Sequence, residues 1–233
     1  MAGAGKKTFT AGEVLTASDV NTYLMEQSVM YFGGTAARAS AIPTPTTGMT
    51  SYIGVTGTAT IPQIETYTGS AWQTPYGLTQ IVNASASAAA TITLDNVFNT
   101  TYENYRIEFN LTSSASGLIR IRLRDGSGDS TGTNYKFSAQ QIVGGSWANL
   151  DNSTTENAFT CGFNDVTRAS GSVNLYSPNI ANLTSYNAQS SYQQYGTYAG
   201  GTINVSTQWT GFKIYATSGN ITGNVRVYGV RNS

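Results

Sequence analysis

The 233-residue chain has twelve basic and twelve acidic residues, which cancel, and only 10% of its residues are charged, against about 25% in an average globular protein. That balance leaves no basic footprint for nucleic acid or an acidic membrane surface. With no histidine and a single cysteine, Cys161, the commonest general base, the commonest metal ligand, an intrachain disulfide and a cysteine metal cluster are all excluded.

Threonine, serine, asparagine, glycine and 15 tyrosines stand where charge would otherwise be. A surface rich in hydroxyls and amides suits a subunit held among others in a large assembly. It also suits an ordinary monomeric β-protein. Residues 1–5 are small, an arm that orders on binding a neighbour. Lys6 and Lys7 precede no apolar run, so no secretory signal is expected, and no stretch approaches the roughly 20 apolar residues of a membrane span. Synthesis in a cytoplasm without membrane insertion is the expectation.

Thr16 to Asp19 reads as a capping box, with Leu15 and Val20 spaced as a hydrophobic staple. A helix is predicted from about Ala17 to Tyr31, ended by Gly33 and Gly34. Val20, Tyr23, Leu24, Gln27 and Tyr31 share one stripe, with Met25 and Val29 beside it. At about 15 residues such a helix is marginal alone, and no adjacent core covers its stripe. Docking or self-association is therefore favoured over packing on its own domain.

Residues 42–72 read as a small β element. Pro43 and Pro45 hold an extended entry. Met49, Ser51 and Ile53 then alternate with Thr50 and Tyr52, and Glu65 and Tyr67 form a second strand before the turn at Gly69 and Ser70 and a closing Trp72. About thirty residues bury too little surface to stand alone, so this piece leans on its own chain or on a copy of itself. The N-terminal helix and this element, through Leu15, Val20, Tyr23, Leu24, Gln27, Tyr31 and Trp72, are the candidate attachment and oligomerisation residues.

The string KTFTAGEVLTASDVNTYLM at residues 7–25 resembles the opening of tailed-bacteriophage virion structural proteins of the minor-tail and tail-fibre kind. The resemblance continues through TAAR at 35–38, IPTP at 42–45, Gly48 and Met49, and YTGSAW at 67–72, roughly the first third of the chain. It implies a virion component joined to the particle by its N-terminal part, with other virion proteins as partners and threefold assembly like that of phage fibres.

From Gln80 the chain becomes a succession of short alternating runs broken by Gly, Asn, Ser and Asp. Candidate strands centre on Ile92, Ile107, Ile121, Phe137, Phe159, Val173, the segment 186–195, Ile214 and Val227. The predicted fold is mainly β: residues 1–41 as arm and helix, 42–79 as a β-hairpin connector, and 80–233 as an antiparallel, jelly-roll-like β-sandwich. Leu94–Phe98 (LDNVF), Tyr102–Ile107 (YENYRI) and the chain's end also resemble C-terminal β-domains of phage tail and head-fibre proteins, through shorter motifs.

Two hairpins are predicted. In the first, Ile107, Phe109 and Leu111 share a face with Ile119, Ile121 and Leu123; with Leu111 facing Ile119, Glu108 lies opposite Arg122 and Arg106 opposite Arg124. The ladder of Arg120, Arg122 and Arg124 reads as an anion or sugar-acid site, or, more commonly for strands, as a solvated face or intersubunit contact. The second runs from Phe212 to Val230 about a turn at Gly219 and Asn220. Asp125 to Asp129 is a plain turn rather than a calcium loop, lacking the further acidic positions.

The segment 185–198 is the most binding-like, because tyrosines supply contact area at low entropic cost and amides supply adaptable hydrogen bonds. Tyr186, Tyr192, Tyr195 and Tyr198 are the candidate receptor contacts, to a host-surface glycan or protein. Tyr186 and Tyr192 share strand parity, which also fits core positions. No acid–base pair, clustered metal ligands or phosphate loop is visible, so no enzyme, cofactor or metal is expected. A phage tail fibre or receptor-binding subunit is the leading expectation. A head decoration or head-fibre protein is the alternative, and a polysaccharide-degrading spike using two carboxylates a third.

Overall fold

The computed structural model describes residues 10–20, 29–54, 62–74, 77–164 and 166–231, and the chain divides into two compact units, Met1–Tyr76 and Gly77–Ser233. The predicted arm-plus-helix and connector thus share the first unit, and the border expected at residue 80 falls inside a strand.

In the first unit, α1 (Ala17–Asp19) begins with the predicted capping box: the Asp19 amide donates to Thr16 Oγ1 at 3.1 Å and the Thr16 amide to Asp19 Oδ2 at 3.1 Å. Tyr23, Leu24, Met25 and Gln27 lie outside the described residues. Tyr31 is not helical. It sits in β1 (Met30–Phe32), which pairs in parallel with β2 (Thr50–Ile53) after the chain crosses back through α2 (Thr35–Ala41). Bulky aromatic residues favour a strand once a neighbouring backbone supplies partners. Gly33 and Gly34 therefore lead from strand to helix. Next come β3 (Gln63–Tyr67) and β4 (Trp72–Gln73), in the sheet order β1-β2-β3-β4.

One face of this small sheet is unusually polar. Arg38 of α2 is ion-paired with Glu65, with the side chains of both only 9% exposed, and its guanidinium lies 4.4 Å from the Trp72 ring centre. Gln63 Nε2 donates to Glu65 Oε1 at 2.7 Å. Ile53 is the one buried apolar side chain among this unit's described residues. On the other face the register aligns Tyr31 with Tyr52 and Tyr52 with Ile64, all three exposed, with the two tyrosine rings stacked at 5.8 Å.

The second unit begins with β5 (Leu78–Ala89), β6 (Ile92–Leu94), β7 (Tyr102–Ser113), β8 (Gly117–Asp125), β9 (Gly128–Asp129) and β10 (Tyr135–Val143). It continues with β11 (Ser146–Glu156), β12 (Phe159–Asn164), β13 (Ala169–Tyr176), β14 (Thr184–Tyr192), β15 (Tyr195–Ile203), β16 (Gly211–Ala216) and β17 (Ile221–Arg231). One sheet has the order β11-β10-β15-β14-β13-β7-β17-β5; the other runs β12-β8-β16-β6, with β9 on β8. Every described pairing in this unit is antiparallel. The unit is the expected antiparallel β-sandwich.

Its core is assembled from inward residues of both sheets, with Phe159 stacked on Tyr186 at 3.9 Å and Phe98 on Phe212 at 5.8 Å. Buried tyrosines keep their hydroxyls bonded, as desolvation demands. The Tyr105 hydroxyl donates to Asn99 O at 2.8 Å and accepts from the Asn99 amide at 2.7 Å, and Tyr135 accepts from the Leu123 amide at 3.0 Å.

Both predicted hairpins are corrected. β7 pairs with β13 and β17, whereas β8 pairs with β12, β16 and β9. Arg106 is thus opposite Asn174 and Tyr228, and Glu108 opposite Ser172 and Arg226. The final strands β16 and β17 are likewise in different sheets. The inward parity holds in each case, because two strands facing each other across a core bury the same alternate residues as a hairpin would. The segment expected as one strand, 186–195, is a hairpin: Tyr192 pairs with Tyr195 around Gln193, whose φ is +46°.

Candidate functional site

Two outward faces of the sandwich carry the polar side chains singled out above, and they differ in one respect: on one, every charge is matched.

That face belongs to β8 and β16. Arg120 donates to Asp151 at 2.9 Å and Glu156 at 3.0 Å. Arg122 donates to the Asn157 carbonyl at 2.8 Å and side chain at 2.6 Å and lies 5.6 Å from the Tyr215 ring. Arg124 bonds Asp95 at 2.7 Å, while Asp129 receives both Arg124 and Lys213. Four cations thus meet four carboxylates. Burial alone would lower the Arg120 pKa, but Asp151 and Glu156 reverse this and hold it above its ordinary value; Lys213 is lowered by burial and by Arg122 and Arg124. The arginine ladder is a structural ion network, and the Asp125–Asp129 turn spends its second carboxylate on those cations. Among the described residues no group of three or more His, Cys, Asp or Glu is placed to hold a metal.

The second face is the outside of the eight-stranded sheet. Register aligns Gln140, Tyr198, Gln189, Ser172, Glu108 and Arg226 in one row across six strands. The next row carries Ser138, Gly200, Asn187, Asn174, Arg106 and Tyr228. Side-chain bonds order this face: Asn174 Nδ2 donates to Asn187 Oδ1 at 2.8 Å, Asn187 Nδ2 to the Tyr176 hydroxyl at 2.8 Å, and Arg106 Nε is 3.1 Å from Glu108 Oε1. Two open cavities of about 500 and 560 Å³ lie along these rows and share Gln189 and Tyr198. Small residues, Ser172 and Gly200, provide the depth between larger neighbours.

Of the four candidate tyrosines, only Tyr198 faces out here, 47% exposed. Tyr186 and Tyr192 are core residues, 4% and 6% exposed, because they share the inward parity of β14. Burial, first of all, pushes the Tyr186 phenol pKa strongly upward. Tyr195 stacks on Tyr192 at 4.9 Å and packs against the core. The aromatic partner of Tyr198 is Trp147 of β11, 59% exposed, with ring centres 5.4 Å apart. Sequence reading missed Trp147; its only signal was an apolar aromatic flanked by turn residues, Gly144 and Gly145. Of the attachment candidates, Leu15 and Tyr31 are exposed, Val20 is half-buried, and Trp72 lies against Arg38.

No protein-family model and no curated protein matches the chain. Among solved structures it is similar to the galectin LEC-6 of Caenorhabditis elegans, at 12% identity over 63% of this chain and 95% of that one, with a TM-score of 0.32. A similarity at that level is too slight to bear on ligand or mechanism.

Proposed function

We propose that the chain is a structural protein of a tailed-phage virion, a tail fibre or receptor-binding subunit that attaches and oligomerises through Met1–Tyr76 and turns Gly77–Ser233 toward the host surface. The sequence resemblance of the first third supports the setting. The observation that carries the division of labour is the row Tyr31, Tyr52 and Ile64, exposed on a sheet whose described residues bury one apolar side chain. Large apolar side chains aligned on one face mark a contact surface, and sister copies or another virion protein would cover it. The second unit needs no such cover, having its own core.

The role is binding rather than catalysis. Among the described residues Glu108 is the one carboxylate lining the two cavities of the eight-stranded sheet, and Arg106 holds it. Glycoside hydrolysis requires a pair of carboxyl groups flanking the bond. The test is the mass of the purified chain in solution together with a tag or antibody located on particles. A trimer, with label at the tail, is expected; label at the capsid would transfer the protein to the head-fibre class, and a monomer absent from particles would refute the reading. Replacing Tyr31, Tyr52 and Ile64 by serine should abolish incorporation while leaving the thermal transition of the second unit unchanged.

A further inference from the structure

The geometry points to a saccharide-binding groove on the eight-stranded sheet: an extended acidic oligosaccharide lies along the row from Tyr198 to Arg226, one ring against the Trp147–Tyr198 pair and a carboxylate at Arg226. This specifies the partner of the surface that the proposed function turns toward the host, and rests on that reading for its biological setting but not for its chemistry.

The row itself sets the length of the ligand. Tyr198, on β15, and Arg226, on β17, are separated by four strand spacings, through Gln189, Ser172 and Glu108. At about 4.8 Å each these give about 19 Å, the reach of several linked rings rather than one. The two cavities lie side by side on the same face, with Gln189 and Tyr198 lining both.

The chemistry sets the class. A sugar ring offers an apolar C–H face and a rim of hydroxyls that both donate and accept. Trp147 and Tyr198 stand exposed beside each other, their rings inclined at 58°, and form an aromatic corner at one end of the row. Beyond it the floor is made of carboxamides and a hydroxyl, Gln189, Asn187, Asn174 and Ser172, groups that both donate and accept. A protein partner of ordinary affinity needs an apolar centre filled by anchor side chains, and these rows have none. Asn110 Oδ1, at the cavity wall, is a buried acceptor with no hydrogen-bond partner among the described residues, and a ligand hydroxyl can donate to it.

The charge sets the acidic end. Glu108 is opposite Arg226 in register, but its ion pair is with Arg106. Arg226 is exposed and makes no ion pair among the described residues. Two guanidinium groups and one carboxylate leave one positive charge, which a ligand carboxylate can bind bidentately.

The purified full chain should be probed on an array of defined neutral and uronic-acid-containing oligosaccharides, with affinities then measured in solution by isothermal titration calorimetry. Binding to acidic oligosaccharides is expected. Trp147→Ala and Tyr198→Ala should each weaken it about tenfold or more, the loss typical of an interface anchor. Arg226→Gln should weaken acidic ligands several-fold more than neutral ones. Both aromatic positions are largely exposed, so circular dichroism of the variants should match the parent. No binding to any saccharide, binding indifferent to Trp147 and Tyr198, or adsorption to cells that persists after their surface glycans are stripped would overturn the groove. An Arg226→Gln loss equal for neutral and acidic ligands would overturn the acidic assignment. A chain that binds saccharides yet is absent from particles refutes the virion reading and leaves the groove; a particle protein with no saccharide affinity does the reverse.

Discussion

Arg120→Met is the sharpest test of how the charged face of the sandwich is built. The substitution keeps the stem that packs on the sheet and removes only the guanidinium. Arg120 and Asp151 have side chains 14% and 15% exposed, 2.9 Å apart, whereas Glu156 is 36% exposed. Removing one partner of a buried pair strands the other charge, at about 3–5 kcal/mol. The exposed arm to Glu156 adds less than about 1 kcal/mol. Asp151 keeps the Thr160 hydroxyl bonded to it, which moderates the penalty. The expected loss is therefore about 3 kcal/mol, near the lower end.

In a domain of this size that corresponds to a fall in Tm of roughly 6–12 °C. Urea unfolding of the second unit should show the loss as a lower midpoint with an unchanged slope. The double variant Arg120→Met with Asp151→Asn should recover much of it, because the stranded charge is gone. Molar salt should leave the effect largely intact, since buried pairs are poorly screened. A loss below about 1 kcal/mol, or one erased by salt, would mean an ordinary surface pair and would reopen the ladder as a ligand site.

Burial drives the Cys161 thiol pKa well above its ordinary value, so Ellman's reagent should find no reactive thiol in the native protein and one after denaturation; prompt native labelling would contradict the core placement. Burial likewise raises the pKa of Tyr105, Tyr135 and Tyr186. The folded state then holds protons that the unfolded chain releases, the Cys161 thiol's above about pH 8.5 and the phenols' above about pH 10, so stability should be flat below the first and fall above each by about 1.4 kcal/mol per pH unit per group. Urea melts followed alongside tyrosinate absorbance check this, and early, non-cooperative ionisation would refute it. Gly201→Ala should destabilise the second unit by about 2 kcal/mol, because the added methyl is driven into the Lys136 carbonyl and Phe137 backbone; a neutral melt would refute the close approach.

Which faces are buried was legible, because alternation reports burial directly. Ile107, Phe109 and Leu111, and Ile119, Ile121 and Leu123, are all inward, as their spacing indicates. Which strand pairs with which was not, since that alternation is the same for a hairpin and for two strands opposed across a core. The crossing between β7 and β8 is settled by distant groups such as Ser113 Oγ, which donates to the Ser218 carbonyl at 2.7 Å. β5 and β11 escaped detection for another reason. In β5 the inward Ala84 and Ala86 alternate with Asn83, Ser85 and Ser87 but are too small to give a strong apolar signal, and β11 barely alternates; both are edges of the eight-stranded sheet. The capping box at Thr16 was legible because it is wholly local, whereas Tyr31 was drawn into strand by Ser51–Ile53, well beyond any helical window. The groove was invisible for a related reason. Its polar residues look like any solvated face until six strands bring them into register.

The two units distribute polarity in opposite ways. The first places an ion pair under a tryptophan and leaves aromatics outside. A buried pair of this kind stabilises little against an apolar replacement, so the small sheet gains mainly a fixed geometry: Arg38 ties α2 to β3 and β4. What that geometry presents is the row Tyr31, Tyr52 and Ile64. The second unit hides its aromatics, apart from a few such as Trp147 and Tyr198, and presents amides. An aromatic row gains free energy by losing water to a large permanent partner, whereas a groove of amides gains only when each hydrogen bond to water is replaced. The first suits an attachment made once, and the second a contact that must be selective and reversible.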